Sequence, residues 1–250
     1  MELPSGLRTS APREDWVAQH RAVWALKPVL RRVYMDWFAR LRSACPPDGP
    51  ILELGSGPGF LKTAYPEVMA IDRQWRDGLD AVLDAGDLPF ASGRMAGVVL
   101  LDVFHHLAAP ADFLREAARI LRPGGRVALL EPWVGLAGRL FYRYLHHEAC
   151  DLGVEPAAPW RGRQKDPMHG NAALPYLYFG SGGHLDRLGL PLRVVSRVPF
   201  AATPWVLSGG FQSFALLPQA LLPACERFDR VLSLAPGLFA MRCWLVIERV

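Results

Sequence analysis

The sequence is poor in cysteine, and its four cysteines lie far apart. Cys45, Cys150, Cys225 and Cys243 include no C-x-x-C pair and no spacing typical of a zinc site. No secretory signal peptide is recognisable at the N-terminus, so we expect a reduced, cytoplasmic protein. A disulfide-stapled secreted domain is disfavoured, and no metal ion is expected.

Long apolar runs are also lacking. The nearest candidate, residues 211–222, is interrupted by Gln212, Ser213, Pro218 and Gln219. It falls short of the ~18 uninterrupted apolar residues that mark a membrane-spanning helix. At 250 residues, of which 51% are hydrophobic, the chain is long enough for one α/β domain with a cap.

Lysine is almost absent, and the net charge of +4 comes from scattered arginines. The longest run of basic residues is Arg31-Arg32. This distribution is more typical of a solvated surface than of a nucleic-acid interface, so no nucleic-acid partner is expected. Because aromatic residues crowd the second half, an anionic substrate or a peripheral contact with a membrane surface is the favoured alternative.

What the sequence does contain is a glycine-rich turn after a short apolar strand, within residues 51–60. Its pattern is G-x-G-x-G, whereas the dinucleotide fingerprint is G-x-G-x-x-G. Phe60 occupies the place of the last glycine, and Pro58 lacks an N–H that could meet a phosphate. The turn is therefore a poor match for a pyrophosphate.

Two acidic residues frame this turn. Glu53 lies at the mouth of the strand, where it would repel a pyrophosphate but suits an α-ammonium and a sulfonium. Asp72 ends the next predicted strand, close to where an acid accepts two ribose hydroxyls in a βαβ unit. Together they favour S-adenosylmethionine (SAM) over NAD as the cofactor.

Further segments follow in a characteristic order: D-A at 84–85, L-P-F at 88–90, V-V-L-L-D at 98–102, H-H-L at 105–107 and L-R-P-G-G-R at 121–126. With the glycine-rich turn, this series resembles the class I SAM-dependent methyltransferases, in particular the type 11-like group with a D-A-x-x-L-P-F segment. The resemblance covers roughly residues 48–135.

The cofactor residues expected from this pattern are Glu53, Gly55, Ser56, Gly57, Asp72, Asp84, Ala85 and Asp102. Glu53 and the turn would hold the methionine end, and Asp72 the ribose. The resemblance implies that Asp84 accepts from the adenine N6 amine while the Ala85 N–H serves a ring nitrogen. A strand-end cap is the alternative for Asp84, and a turn-forming role is equally open for Asp102.

The predicted fold is an α/β, doubly wound, Rossmann-like and mostly parallel sheet with an antiparallel C-terminal strand. The whole chain, 1–250, is interpreted as a single methyltransferase domain. It would comprise N-terminal helices at 14–44, a SAM-binding core at 48–135, and an inserted substrate cap at 136–190 and 201–240.

Element by element, Pro28 is expected to split the N-terminal helical region in two. The predicted strands are 51–54, 68–72, 80–84, 97–102, 125–131, 192–198 and 241–247. The predicted helices of the core and cap are 59–65, 110–121, 139–148, 182–188 and 219–234. The connection from Asp72 to Asp80 has little room for a regular helix.

Methyl transfer mainly requires that a nucleophile be aligned with the methyl carbon, and a general base only if the acceptor holds a proton. The candidates for such a base or substrate contact are His105 and His106 after the fourth strand, Glu131 at the end of the fifth, and His146, His147 and Glu148. Of these, His105, His147 and Glu148 are favoured. Adjacent histidines point to different faces of a helix, which argues against a metal pair.

The function predicted from these patterns is in-line transfer of a methyl group from SAM to a small or lipid-like acceptor. The apolar, aromatic cap suggests an apolar or aromatic acceptor, including a lipid-linked one. Two alternatives stay open: a catalytically inactive methyltransferase-like SAM-binding or scaffold protein, and a nucleotide-dependent oxidoreductase.

Overall fold

A computed structural model describes residues 15–146, 148–156 and 170–250. Within these residues the chain forms a seven-stranded sheet in the order β3-β2-β1-β4-β5-β7-β6. The strands are β1 Ile51–Leu54, β2 Met69–Asp72, β3 Ala81–Val82, β4 Met95–Leu101, β5 Leu121–Pro132, β6 Leu192–Phe200 and β7 Arg242–Arg249.

Helices cover both faces of this sheet. They are α1 Asp15–Leu26, α2 Pro28–Ala44, α3 Phe60–Ala64, α4 Pro110–Ile120, α5 Leu136–Tyr144, α6 Leu174–Phe179, α7 Thr203–Leu207, α8 Leu222–Leu232 and α9 Pro236–Phe239. Short 3₁₀ turns are Phe104–His106, His184–Leu188 and Gln219–Leu221. Among the described residues, no helix combines the length and apolarity needed to cross a bilayer.

The first five strands run parallel, and β1 pairs with β2 on one side and β4 on the other. The strand order therefore reverses between β1 and β4. In open α/β sheets the ligand crevice lies at such a reversal, outside the carboxyl ends of the strands. The glycine-rich turn follows β1 at this place.

The last strand, β7, runs antiparallel to both of its neighbours, as predicted. β7 lies between β5 and β6, with Leu130 opposite Trp244 and Trp244 opposite Val198. β6 is the edge strand. The doubly wound sheet with an antiparallel C-terminal strand pair is thus confirmed.

Alternation along the strands divides the core into two layers. Val98 and Leu100 face a layer formed with α4 and α6, whereas Val99 faces a second layer formed with α1, α2 and α3. Part of the segment between β6 and β7, including Leu217 and Leu222, joins the second layer. These segments pack as extensions of the core. Their role as a substrate cap stays a prediction.

Pro28 separates two N-terminal helices, as predicted, and stands in the first turn of α2. Lys27 precedes it and is buried. Its ammonium donates hydrogen bonds to the backbone oxygens of Ser208, Gly210 and Phe214. The start of α2 is therefore tied to the chain segment that follows α7.

Several predicted elements differ in extent from those observed. The helix predicted over 139–148 is α5, Leu136–Tyr144, so Glu148 lies beyond its end. Gly135 precedes α5 with extended backbone, which lets the helix begin earlier. β3 has two residues rather than five because it pairs only with β2 at the sheet edge. The helix predicted at 182–188 is a 3₁₀ turn.

Candidate functional site

The turn after β1 requires glycine for steric reasons. Gly55 has φ of +66°, and a Cβ placed there would lie 2.5 Å from Cγ2 of Val103. Gly57 also has a positive φ, +52°. Such backbone is strained for other residues, so the glycines allow β1 to turn tightly against the segment that follows β4.

Glu53 places a buried carboxylate beneath this turn. It is 6% exposed, and the Ser56 hydroxyl donates a hydrogen bond of 2.6 Å to its Oε2 atom. Burial raises the pKa of Glu53 to about 8, and the nearby Asp72 charge adds to the shift. A carboxylate in this state gains from a bound cation, because the cation would stabilise its charged form.

Asp72 holds the same turn from the end of β2. Its Oδ2 accepts a hydrogen bond of 3.1 Å from the Gly57 N–H, and its Oδ1 accepts one of 3.2 Å from the Gln74 N–H. The Ser56 N–H also donates to the Ile71 oxygen at 3.0 Å. The structure therefore brings together Glu53, the glycine turn and Asp72.

Helix α1 lies over this turn. The Arg21 guanidinium donates to the backbone oxygens of Pro58, at 3.2 Å, and Asp77. Trp16 lies near Gly57, and the Arg76 guanidinium stands 4.7 Å from the Trp16 ring centroid. The two acidic residues are thus partly screened from solvent by the N-terminal part of the chain.

Asp84 and Ala85 occupy the loop after β3. The Asp84 side chain is 64% exposed and accepts a hydrogen bond of 2.9 Å from the Gly86 N–H. Arg73 lies nearby, 3.6 Å from Oδ2 of Asp84. The bond from Gly86 is a capping interaction, the alternative role that the sequence analysis gave for Asp84. The second carboxylate oxygen faces Arg73. Ala85 is buried beneath the loop.

Asp102 follows β4 with φ of +57°, so its turn-forming role is realised. Its carboxylate forms an ion pair with Arg242, the buried first residue of β7. Burial raises the pKa of Asp102, and Arg242 opposes that shift. The guanidinium stands 4.6 Å from the Trp205 ring centroid and 5.0 Å from that of Trp37. Sequence reasoning missed Arg242, whose only signal was an arginine opening an apolar strand.

His105 lies between two carboxylates. Its Nδ1 is 2.6 Å from Oε2 of Glu131, and its Nε2 is 3.1 Å from Oε2 of Glu148. The other Glu131 oxygen accepts hydrogen bonds from the N–H groups of Val103, at 2.9 Å, and Phe104, at 2.8 Å. Burial lowers the pKa of His105, but the two carboxylates outweigh it and raise the value to about 10.

Glu148 also contacts a second histidine. Nε2 of His106 lies 3.3 Å from Oε1 of Glu148, and Nδ1 of His146 lies 3.7 Å from Oε2. The expected divergence of His105 and His106 does not occur. Both belong to a 3₁₀ turn rather than an α-helix, and their ring centroids are 4.1 Å apart. His147 lies outside the described residues.

The glycine turn with its acidic residues adjoins the cluster of histidine and glutamate side chains around His105. Val103, against which Gly55 packs, donates its N–H to Glu131, the carboxylate partner of His105. Glu148 and His146 further line an open groove of about 770 Å³ beside α5. One end of the crevice can therefore hold a cationic ligand, and the other presents imidazole and carboxylate groups to a molecule entering the groove.

Comparison with known proteins agrees with this architecture. Residues 52–129 match the family model Methyltransf_11, described as a methyltransferase domain. An uncharacterized 37.1 kDa protein in transposon Tn4556 of Streptomyces fradiae is 36% identical over 106 residues. That match covers 34% of this chain and 31% of the relative, so the chain matches about a third of the relative's length.

Two solved structures share the fold over nearly the whole chain. One is a chain of the complex between the Haloferax volcanii Trm112 methyltransferase activator and its partner. It is 15% identical with a TM-score of 0.50, and 94% of this chain and 95% of that one are covered. The other is a geranyl diphosphate methyltransferase in complex with SAM. It is 15% identical with a TM-score of 0.50, and 96% of this chain and 93% of that one are covered. Residues 52–129 thus match a methyltransferase domain, and the two solved structures support a class I SAM-dependent methyltransferase fold for the chain.

Proposed function

We propose that this protein binds SAM at the carboxyl ends of β1 and β2 and transfers its methyl group to a small or lipid-like acceptor. The observation that carries the proposal is the buried Glu53 carboxylate, whose pKa is raised to about 8 beneath the glycine turn. A cationic ligand head relieves the cost of burying that charge. Asp72 lies beside it and accepts a hydrogen bond from the Gly57 N–H, and its place at the end of the second strand of a βαβ unit supports a role in binding ribose hydroxyls.

In this proposal each residue has a defined task. Glu53 accepts hydrogen bonds from the ammonium of the methionine end, and the backbone of Gly55, Ser56 and Gly57 allows close approach. Asp72 exchanges its hydrogen bond from Gly57 for the ribose hydroxyls. Asp84 accepts a hydrogen bond from the adenine N6 amine, and the Ala85 N–H donates to a ring nitrogen of adenine. Asp102 lies beneath the methionine moiety.

The bound cofactor would supply an already activated methyl group. The chain must then align the acceptor for in-line transfer and exclude water. Helix α1 contributes to exclusion, since Trp16 and Arg21 lie over the turn. The rings of Trp37, which is buried, and Trp205, which is partly buried, flank Arg242 at the neighbouring strand end.

For His105 the geometry favours a positioning role. With its pKa raised to about 10, the imidazole carries a proton at neutral pH and is a poor general base. Glu148 is ionised for the same reason. Burial alone would raise the pKa of its carboxyl, but His105 and His106 keep that pKa well below its usual range. Glu148, and His147 next to it in sequence, remain our candidates for contact with an acceptor.

The acceptor we favour is apolar or aromatic, or a lipid-linked molecule. Support comes from the aromatic groups that line the groove, Tyr142 and Tyr144 on α5. The structural neighbour named for geranyl diphosphate also acts on a molecule with an apolar chain. Nucleic acid is not proposed as a partner. Arg139 and Arg143 beside the groove leave a peripheral membrane contact open.

Calorimetric titration of the purified chain with SAM tests this proposal. We expect binding that falls at least tenfold in Asp72→Ala and is unchanged in Asp36→Asn, an exposed acid on α2. NADH serves as the comparison ligand and should not bind. Equal affinity of Asp72→Ala and the unaltered chain would overturn the site.

Turnover separates the enzyme from the alternative of an inactive SAM-binding scaffold. SAM binding with methylation of at least one apolar acceptor in a screen supports the enzyme. SAM binding without turnover across apolar, lipid-linked and polar acceptors would favour the scaffold. Methylation of polar metabolites only would contradict the acceptor class.

A further inference from the structure

We propose that His105, His106 and Glu148 form a binding site for a first-row divalent transition-metal ion. The proposal is independent of SAM binding, because none of these residues belongs to the cofactor site. One ligand atom from each side chain lies within 4.8 Å of the others. Two imidazoles and one carboxylate form a common donor set for such ions, with positions left open.

The spacing of the donor atoms suits a single ion. Nε2 of His105 and Nε2 of His106 lie 3.1 Å and 3.3 Å from the two oxygens of Glu148. Ligand atoms that each lie roughly 2.0–2.2 Å from a tetrahedral ion are about 3.3–3.6 Å from one another. The observed separations approach this range, so only a small outward movement is needed to admit the ion.

Glu131 supplies the hydrogen-bond partner that metal-binding histidines usually have. It holds Nδ1 of His105 at 2.6 Å, so Nε2 faces Glu148, and a metal ion binding there would displace the proton on Nε2 into solvent. Its second oxygen is fixed by the N–H groups of Val103 and Phe104. A carboxylate in this place orients the ring and raises the basicity of the ligating nitrogen.

The rings are also held from the opposite side. A Cβ at Gly170 would lie 2.7 Å from Cδ2 of His105 and 2.8 Å from Nδ1 of His106. The Asn171 N–H donates to the His105 backbone oxygen at 2.9 Å. The chain thus passes directly against both rings, which limits their rotation and preserves the arrangement of the nitrogen atoms.

The site opens toward the groove beside α5, which Glu148 and His146 line. His146, whose Nδ1 lies 3.7 Å from Glu148, is placed to add a further nitrogen ligand. An open coordination position would let the ion bind an oxygen of the acceptor and orient it. Imidazole donors favour ions such as Zn²⁺, Fe²⁺ or Co²⁺ over Mg²⁺, which prefers oxygen.

The test is metal binding to the full chain after removal of metal by a chelator. Co²⁺ should bind at a 1:1 ratio and produce visible d–d absorption, which Zn²⁺ should abolish by competition while Mg²⁺ should not. We expect Co²⁺ affinity to fall at least tenfold in Glu148→Gln and in His106→Ala. His184→Asn, a change at a histidine outside this cluster, should leave the affinity unchanged.

Further variants separate the outcomes. Glu131→Gln should lower the affinity by roughly 10–100-fold, as loss of such a partner does in other sites. If Glu148→Gln does not fold, His106→Ala decides the question, because His106 lies nearer the surface. No Co²⁺ absorption, or equal affinity in His106→Ala and the unaltered chain, would overturn the metal site. SAM binding unchanged in His106→Ala would show that this result is separate from the cofactor proposal.

Discussion

The Ser56 hydroxyl donates a 2.6 Å hydrogen bond to the buried Glu53 carboxyl, three residues before it in the chain. This bond joins the end of β1 to the turn that follows it. It also lowers the cost of burying Glu53, although burial still raises the pKa to about 8. The turn is therefore built around a carboxyl group that is only partly ionised at neutral pH without a ligand.

The first prediction concerns the pH dependence of stability. The pKa of Glu53 is raised in the folded state from its ordinary value of 4.5 to about 8. Between those values the folded state binds more protons than the unfolded state, so stability falls as pH rises. Glu53→Gln should remove this pH-dependent loss of stability, so it should raise the melting temperature more at pH 8.5 than at pH 4.5. Each kcal/mol of unfolding free energy recovered corresponds to roughly 2–4 °C.

Thermal unfolding of both proteins at the two pH values provides the measurement. The exposed Glu67→Gln, whose carboxyl has a lowered pKa, is the matched control and should show no such gain. Glu53→Gln should also weaken SAM binding at least tenfold. A variant that is less stable than the unaltered chain at pH 8.5 would contradict the assigned cost of burial.

The second prediction concerns the contact between Gly55 and Val103. Gly55→Ala introduces a Cβ 2.5 Å from Cγ2 of Val103 at a φ of +66°, so both steric overlap and backbone strain follow. We expect a loss of about 2–4 kcal/mol in the free energy of unfolding, together with weaker SAM binding. Urea unfolding measures the loss.

Gly93→Ala is the matched control, because its φ is +71° and a Cβ there meets nothing within 4 Å. It should cost only the backbone strain, about 1 kcal/mol. Adding Val103→Ala to Gly55→Ala should recover part of the lost stability by relieving the overlap. If the two single glycine variants lose equal stability, the overlap with Val103 is not the cause.

The third prediction concerns the ion pair of Asp102 with Arg242. Asp102→Asn retains a residue that tolerates the positive φ but leaves the buried guanidinium without its counter-charge. We expect a loss of about 3 kcal/mol in the free energy of unfolding, at the lower end for a broken buried pair, because Asp102 is partly exposed. Denaturant unfolding checks this value.

The double variant Asp102→Asn with Arg242→Met tests whether the cost comes from the unpaired charge. It should be more stable than Asp102→Asn alone, since no buried guanidinium remains uncompensated. Additive losses in the double variant would mean that the two side chains do not interact. The exposed pair Arg32–Asp36 offers a control, and Asp36→Asn should change stability by less than about 1 kcal/mol.

Much of the fold could be predicted from local patterns. The apolar strand 51–54, the break at Pro28 and the missing helix after Asp72 follow from hydrophobicity, proline chemistry and chain length within a few residues. Helix α5 was predicted less well. Its sequence continues with apolar and aromatic residues, while the observed end at Tyr144 depends on tertiary packing.

The site divides in the same way. Glu53, Ser56, Gly57 and Asp72 could be proposed together because a βαβ unit brings the ends of consecutive parallel strands to one edge. The sequence by itself thus determined the sheet, the glycine turn and the acidic pair beside it. Only the tertiary structure decided that Arg242 meets Asp102, 140 residues away.

The same holds for His105, which joins carboxylates from β5 and from the segment after α5. No local periodicity records such contacts. They depend on how the strands are ordered and on how the segments between them fold back over the sheet, where burial of charge requires each group to find a partner. The glycine turn and its acidic pair could be recognised in the sequence because these residues are neighbours in one supersecondary unit. The imidazole–carboxylate cluster, by contrast, forms only when distant segments pack together.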